Sequence, residues 1–381
     1  MLKTKRIRSI LVMLIALSML ILPTFADTHV VEEGDVLWRI AQEYDLTVEQ
    51  ILELNEIKDP NLIYVGQELN TVLEVGYGED KMVASEGAVY SMASLSSPLT
   101  KTIPEGFRVT IIGSGLPVLD LNKFGPSVLV EYKDKMFLVD CGYQSVTGLM
   151  KAGVHPGQIN NMFFTHQHAD HNADYWTFLI GGWDSDYNRS QLTLAGPSVE
   201  KLHNITLDFY KQDLDYRING VGSSPDGIRT NVDIHDFTEP LINFEVDDVK
   251  ITAIQVPHTI ETYAYKFEAG GQSVVITGDM TYNEVIAPFA KDADIMVIDA
   301  LQAADFQDVP EAFRDTLRQN LSHSHLMNDD IATIVTNSSP QKLVLNHWTG
   351  NIPLQETIDL YRDAGYEGEV FKGLDGMVIL P

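Results

Sequence analysis

The sequence predicts an α/β chain: one large domain over residues 101–381, preceded by a small βααβ unit over residues 27–73. Three observations carry this. Apolar runs of strand length recur through the second part of the chain, each stopped by Gly, Pro or a polar residue. Several of those runs deliver a His or an Asp immediately past their carboxyl end. Ahead of them, two short stretches with apolar spacing near 3.6 lie between two strand-like runs.

Taken in order, the chain begins with Lys3, Lys5, Arg6 and Arg8, followed by an apolar run over residues 10–22 and then Pro23-Thr24-Phe25-Ala26. This reads as a secretory signal peptide over residues 1–26. The run is shorter than the roughly 20 residues that span a bilayer as a helix, so no stable membrane span is expected. A secreted protein, extracellular or cell-wall associated, follows. With Cys141 as the single cysteine there is no internal disulfide framework, so packing and bound metal must hold the fold.

In residues 27–73 the helical positions are Leu37, Ile40, Ala41 and Tyr44, then Val48, Ile51, Leu52 and Asn55. The bracketing end runs, within residues 29–41 and 62–69, suit a two-stranded sheet. The unit resembles a LysM module. That resemblance implies a partner, a peptidoglycan or chitin-like glycan, held in a groove formed by Gly34, Asp35, Val36 and Leu37 with Asn61, Leu62 and Ile63. Val36 stands where such modules usually carry threonine. Residues 74–100, rich in Gly, Ser and Ala, read as a flexible tether.

The large domain centres on Thr165-His166-Gln167-His168-Ala169-Asp170-His171. Three imidazoles and a carboxylate this close desolvate and repel one another unless a divalent cation turns the crowding into coordination. Residues 161–164 read as the end of a buried strand. On an extended segment 166, 168 and 170 then share one side, and a helix begins at His171. Further donors follow apolar runs: His258 after 251–256, Asp279 after 274–278 and His347 after 343–346. Asp299 closes the run 295–298, and Asp140 the strand 137–139. A metal hydrolase is the expectation.

With Ile111-Ile112-Gly113-Ser114-Gly115, Leu138-Val139-Asp140-Cys141-Gly142, Val256-Pro257-His258 and Thr277-Gly278-Asp279 added, the ordered series resembles the metallo-β-lactamase superfamily, in the branch of ribonuclease Z and arylsulfatase-like hydrolases. The resemblance spans about residues 105–381 and implies an αββα four-layer sandwich. It also implies two divalent metal ions, zinc before manganese or iron. His166, His168 and His258 would hold one, Asp170, His171 and His347 the other, with Asp279 between them. Asp170, His325 and Asp299 would complete the catalytic set: His325 assists the leaving group and Asp299, where the family usually has glutamate, orients it. His323 is the fallback. Asp140 is expected to steady a ligand histidine or the loop backbone.

Charge narrows the substrate. The net charge is −28 and becomes more negative once the basic leader is gone, which opposes binding of nucleic acid. The segment 218–229 is also too short and too poor in base to serve as a transfer-RNA arm. A small phosphodiester or sulfate ester is expected, with a lactone or a non-catalytic, glycan-binding role as the alternatives. Trp183, Tyr187, Tyr210, Tyr216 and Trp348 are candidate rim aromatics, core positions being the commoner use for all but Trp348. Arg217 is a candidate anion contact. His29, His155, His203 and His235 lack the strand-end setting and are read as structural or solvent-facing.

Overall fold

The structure, a computed structural model, describes residues 28–31, 40, 51, 55, 57, 66–71, 105–185 and 187–381. The leader, the tether and the glycan contacts expected at Gly34, Asp35, Val36, Leu37, Asn61, Leu62 and Ile63 lie outside the described residues. The chain divides into two units, Met1–Val83 and Ala84–Pro381.

In the first unit, β1 (Thr28–Val30) pairs antiparallel with β2 (Glu68–Asn70), with His29 opposite Leu69. Val31, Ile40, Ile51 and Leu69 are buried. Asn55, counted above with the apolar positions, acts differently. Its amide donates to the carbonyls of Ile51 and Asn70 (2.8 and 3.0 Å), and its oxygen accepts from Asn70 N at 2.7 Å. It therefore ties the second strand to the helical segment by hydrogen bonds, where spacing alone suggested packing.

The second unit contains two seven-stranded sheets. One comprises β3 (Phe107–Gly113), β4 (Ser127–Tyr132), β5 (Lys135–Val139), β6 (Asn161–Phe163), β7 (Leu192–Gly196) and β8 (Val232–Asp236) in sequence order. The other runs from β9 (Leu241–Val246) through β10 (Val249–Val256), β11 (Thr262–Ala269), β12 (Gln272–Ile276), β13 (Ile295–Asp299) and β14 (Lys342–Asn346) to β15 (Glu369–Lys372). The final strand, β16 (Val378–Ile379), returns to pair with β3 in the first sheet. A shared core of Val109, Val130, Phe137, Phe163, Tyr265, Phe267, Val274 and Val297 lies between the sheets. Separate apolar clusters cover the outer faces, under Ser145–Lys151 and Tyr175–Trp183 on one side and Asn328–Ser338 and Leu354–Asp363 on the other. The result is the four-layer αββα sandwich.

Strand direction puts the chemistry at one edge. β5, β6 and β7 are mutually parallel, as are β12, β13 and β14, and β10 runs the same way through two antiparallel pairings. Their carboxyl ends carry the site. Tyr265 joins the two sheets there, donating its buried hydroxyl to Phe164 O at 2.7 Å just ahead of the histidine loop. Tyr263 N adds a bond to Thr165 O at 2.9 Å.

Away from the site, His203 is buried. Its Nδ1 accepts from the Tyr175 hydroxyl (2.8 Å) and its Nε2 donates to Ile228 O (3.0 Å), the arrangement of a neutral ring. Burial pushes its pKa from 6.5 down to about 4. The unfolded chain therefore takes up a proton that the native state refuses between those values, so stability is full above pH 6.5 and falls as pH drops toward 4. Melting curves of wild type and His203→Gln should converge across that window, the wild type losing up to about 3 kcal/mol of its advantage. Parallel curves would contradict this.

Candidate metal centre

The histidine loop is shorter in its extended part than its spacing suggests. His166 and His168 lie on an irregular segment after β6, but Asp170 and His171 sit on a one-turn helix, Ala169–Asn172, which stops before the longer helix Tyr175–Trp183. The expectation that 166, 168 and 170 alternate along one extended side is thus corrected. The helical turn places Asp170 and His171 together, and Cys141 N bonds His171 O at 2.7 Å to fix that turn on the strand-end loop. Gly142 is required there, because a Cβ would lie 2.2 Å from Asp170 O.

The seven residues named from sequence as ligands come together. His166 Nε2 and His258 Nε2 lie 3.0 and 3.3 Å from His168 Nδ1. On the other side, Asp170 Oδ2 lies 3.5 Å from His171 Nε2 and 3.3 Å from His347 Nε2. Asp279 Oδ2 stands between, 3.8, 3.4, 3.9 and 3.5 Å from the Nε2 atoms of His166, His171, His258 and His347. Gly278, with φ of +62°, turns the chain so that Asp279 reaches this position.

These separations fit a metal. Donors placed tetrahedrally at 2.0–2.1 Å from an ion are about 3.3 Å apart, within the observed spread of 3.0 to 3.9 Å. His171 Nε2 is buried without a hydrogen-bond partner. Four carboxylates, Asp140, Asp170, Asp279 and Asp299, are buried here, and among the described residues neither Lys nor Arg is ion-paired with any of them. Burial pushes the Asp279 carboxyl up, but His347 and His171 more than reverse this and hold it well below the ordinary range. Burial, then His171, drives His166 well down. His347 is lowered by burial yet carried to about 10 by Asp279 and its neighbours. Protons thus neutralise the excess acid, a task a divalent cation takes over on binding.

An outer ring steadies the donors. Asp140, its backbone in the left-handed region at φ 62°, accepts from Thr165 N and Thr165 Oγ1 (both 2.8 Å) and from His171 Nδ1 at 2.9 Å. Thr165 Oγ1 in turn lies 3.0 Å from His166 Nδ1. His258 Nδ1 donates to Ser324 O at 2.7 Å. His347 itself has φ of +56°, a strained strand-end residue of the kind found at working sites, at a cost of about 1–3 kcal/mol. Thr165 was not singled out in the sequence. Its signal was its place between a buried strand and the first histidine.

His325 and Asp299 pair, Nδ1 to Oδ2 at 2.8 Å, and the His325 ring is 5.3 Å from that of His347. Asp279, Asp299, His325 and His347 also form a compact donor group. Asp299 and His325 satisfy each other, however, and Asp299 Oδ1 additionally accepts from Leu301 N at 3.2 Å. Burial lowers the His325 pKa, but Asp299 outweighs it and leaves it raised.

Other candidates fall elsewhere. Arg217 is ion-paired to Asp184 and Asp213, so the anion contact considered for it is corrected: the guanidinium is already engaged by two carboxylates of its own chain. Trp183 is buried and bonded to Ser224 O, Tyr210 stacks on Trp176 at 3.6 Å, and Tyr187 stacks on His155 at 4.4 Å. Tyr216 is exposed. Trp348 is buried beside His347, its indole donating to Gly373 O at 2.8 Å. Cys141 is buried and burial raises its thiol pKa, in keeping with an inert core residue.

Residues 107–349 match the family described as Anti-Pycsar protein Apyc1. The chain belongs to the Apyc1 family. Residues 29–71 match the LysM domain, so this Apyc1-family domain follows a LysM module. A ribonuclease Z of Mycolicibacterium gilvum is 28% identical over 258 residues, covering 65% of this chain and 87% of the relative. Among solved structures, the metallo-β-lactamase fold protein YhfI of Bacillus subtilis aligns with a TM-score of 0.56 at 20% identity, over 72% of this chain and 99% of the other. The short form of human tRNase Z aligns at 0.53 and 19%, over 72% and 98%. The domain has the metallo-β-lactamase fold and is a metal-dependent hydrolase.

Proposed function

We propose that the protein hydrolyses a small phosphodiester or sulfate ester at a centre for two divalent ions, zinc by the chemistry of its donors, and that it is exported and held on cell-wall glycan by its LysM module. One observation carries the two-ion reading: a single oxygen, Asp279 Oδ2, stands within 3.9 Å of four imidazole nitrogens belonging to two separate donor sets. Imidazole and carboxylate donors suit zinc.

When bound, such a pair supplies Lewis acidity toward the ester oxygens and a nucleophile at neutral pH. The chain's own groups do the rest. Asp140 and Ser324 O hold the rings of His171 and His258 in the tautomers that present Nε2 inward. Asp299 holds His325 through Nδ1, which leaves Nε2 to hand its proton to the departing oxygen.

A small substrate is favoured over RNA by the net charge of −28, although the curated relatives are ribonucleases. The test is a substrate panel with metal-loaded full-length protein: aryl phosphodiesters or aryl sulfates should be turned over, and His168→Ala should be inert. Equal inertness of both proteins on every ester would refute the reading. For the anchoring half, full-length protein should sediment with insoluble peptidoglycan or chitin, and recovery entirely in the supernatant would remove it.

A further inference from the structure

We propose that the cavity walled by residues 115–123 and roofed on one side by Trp348 and Thr349 is a binding subsite for a flat apolar group carried by an anionic ester, with Lys123 as its cation. The proposal rests on the metal-centre reading, since it concerns the half of the substrate that does not react.

The cavity measures about 270 Å³, room for one aromatic ring system. Its wall is unusual for a surface loop. Val118, Leu119 and Leu121 are 66%, 77% and 97% exposed, three large apolar side chains within four residues in a chain of high net charge. Scattered exposed leucines need no explanation, but a clustered set bordering a concavity marks a contact surface. Leu116, at the base of the loop, is buried against Leu301, Ala304 and Phe306.

The loop is held open by bonds at its root. The Asp375 carboxylate accepts from Ser114 N and Ser114 Oγ (both 2.8 Å) and from Phe124 N at 2.6 Å, clamping both ends of the loop, while Gly115 N bonds Phe124 O at 2.8 Å. The Tyr143 hydroxyl lies 3.1 Å from both Leu116 O and Val118 O. Preorganisation of this kind lowers the entropy lost when a ligand enters. It also ties the cavity to the centre. Trp348 follows His347 directly, its backbone N bonding Ser114 O at 3.2 Å, and Tyr143 lies in the turn that carries Asp140 and Gly142.

Lys123 supplies the charge. Its Nζ sits 3.0 Å from the centre of the Trp348 ring and 3.2 Å from Trp348 O; Asp120, in the same cavity wall, and Asp375 are its acidic neighbours, and among the described residues it is ion-paired with neither. Lys372, 4.3 Å from the same ring, is engaged with Asn351 Oδ1 at 2.7 Å. Lys123 brings a cation to the cavity wall, against the residue that directly follows His347. Burial lowers its pKa to about 8, so it remains charged at neutral pH.

The test is calorimetric titration of the metal-loaded full chain with two probes that cannot be hydrolysed, methylphosphonate and 1-naphthylphosphonate. Wild type should bind the naphthyl probe at least about tenfold more tightly, the effect of burying its rings. In Leu119→Asp/Leu121→Asp, where both changes fall on exposed positions, that ratio should drop below about threefold. Lys123→Met should weaken the naphthyl probe about fivefold or more. Equal affinities in wild type, no binding of either probe, or a ratio unchanged in the double variant would overturn the subsite. If these leucines instead cover a second copy of the chain, the double variant would change the sedimentation mass and leave the ratio intact, which also overturns it. Ester turnover, measured separately, reports on the metal-centre reading, so the two can fail independently.

Discussion

Asp279→Ala is expected to lose most of its bound metal and at least about a thousandfold in turnover. Asp279 Oδ2 faces both donor sets, within 3.4–3.9 Å of four imidazoles. Removing it leaves His166, His171, His258 and His347 crowded together without the buried anion that compensates them. Two incomplete sets would remain, each a poorer site, and the several kcal/mol that Lewis-acid stabilisation supplies would go with the ions. Metal analysis and kinetics on the same preparation check this together. Full metal content with wild-type turnover would show that Asp279 is not the shared ligand.

The second large effect belongs to His325. His325→Ala should keep its metal and lose about a hundredfold to ten-thousandfold in kcat, the usual range for removing a proton donor. The loss should depend on the substrate. A good leaving group such as p-nitrophenolate departs without protonation, so that ester should be affected least, and an alkoxide leaving group most. Asp299→Asn, which keeps the shape but not the charge beside His325 Nδ1, should follow the same trend with a smaller loss. The double variant should be little worse than His325→Ala alone, since the two act as one unit. An equal loss across leaving groups would assign the pair a structural role.

The core of this site was legible because its signal is chemical. Seven donor side chains, each just beyond a strand-like run or in one dense loop, have few other uses, and the sandwich sets those strand ends side by side. Geometry inside the loop was not legible. Alternation placed Asp170 on an extended segment, whereas the chain turns helical at Ala169, and period-two and period-3.6 readings cannot be separated over so few residues. Supporting residues were partly hidden for another reason. Asp140 stood out by following a strand, but Asp375, which clamps the loop holding Lys123, is 251 positions from its partner Phe124, and nothing local marks it. Arg217 misled because a base in a stretch rich in acid looks free until its partners, Asp184 and Asp213, are located. Asn55 misled in the opposite sense, occupying an apolar register while working by hydrogen bonds.

One carboxylate oxygen, Asp279 Oδ2, would join two metal sites at the shared edge of the two sheets. Crystals of protein loaded with zinc, measured just above the zinc absorption edge, address it directly. Two anomalous peaks are expected, one among His166, His168 and His258 and one among Asp170, His171 and His347, with Asp279 touching both. A single peak, or a pair that leaves Asp279 uncoordinated, would contradict it.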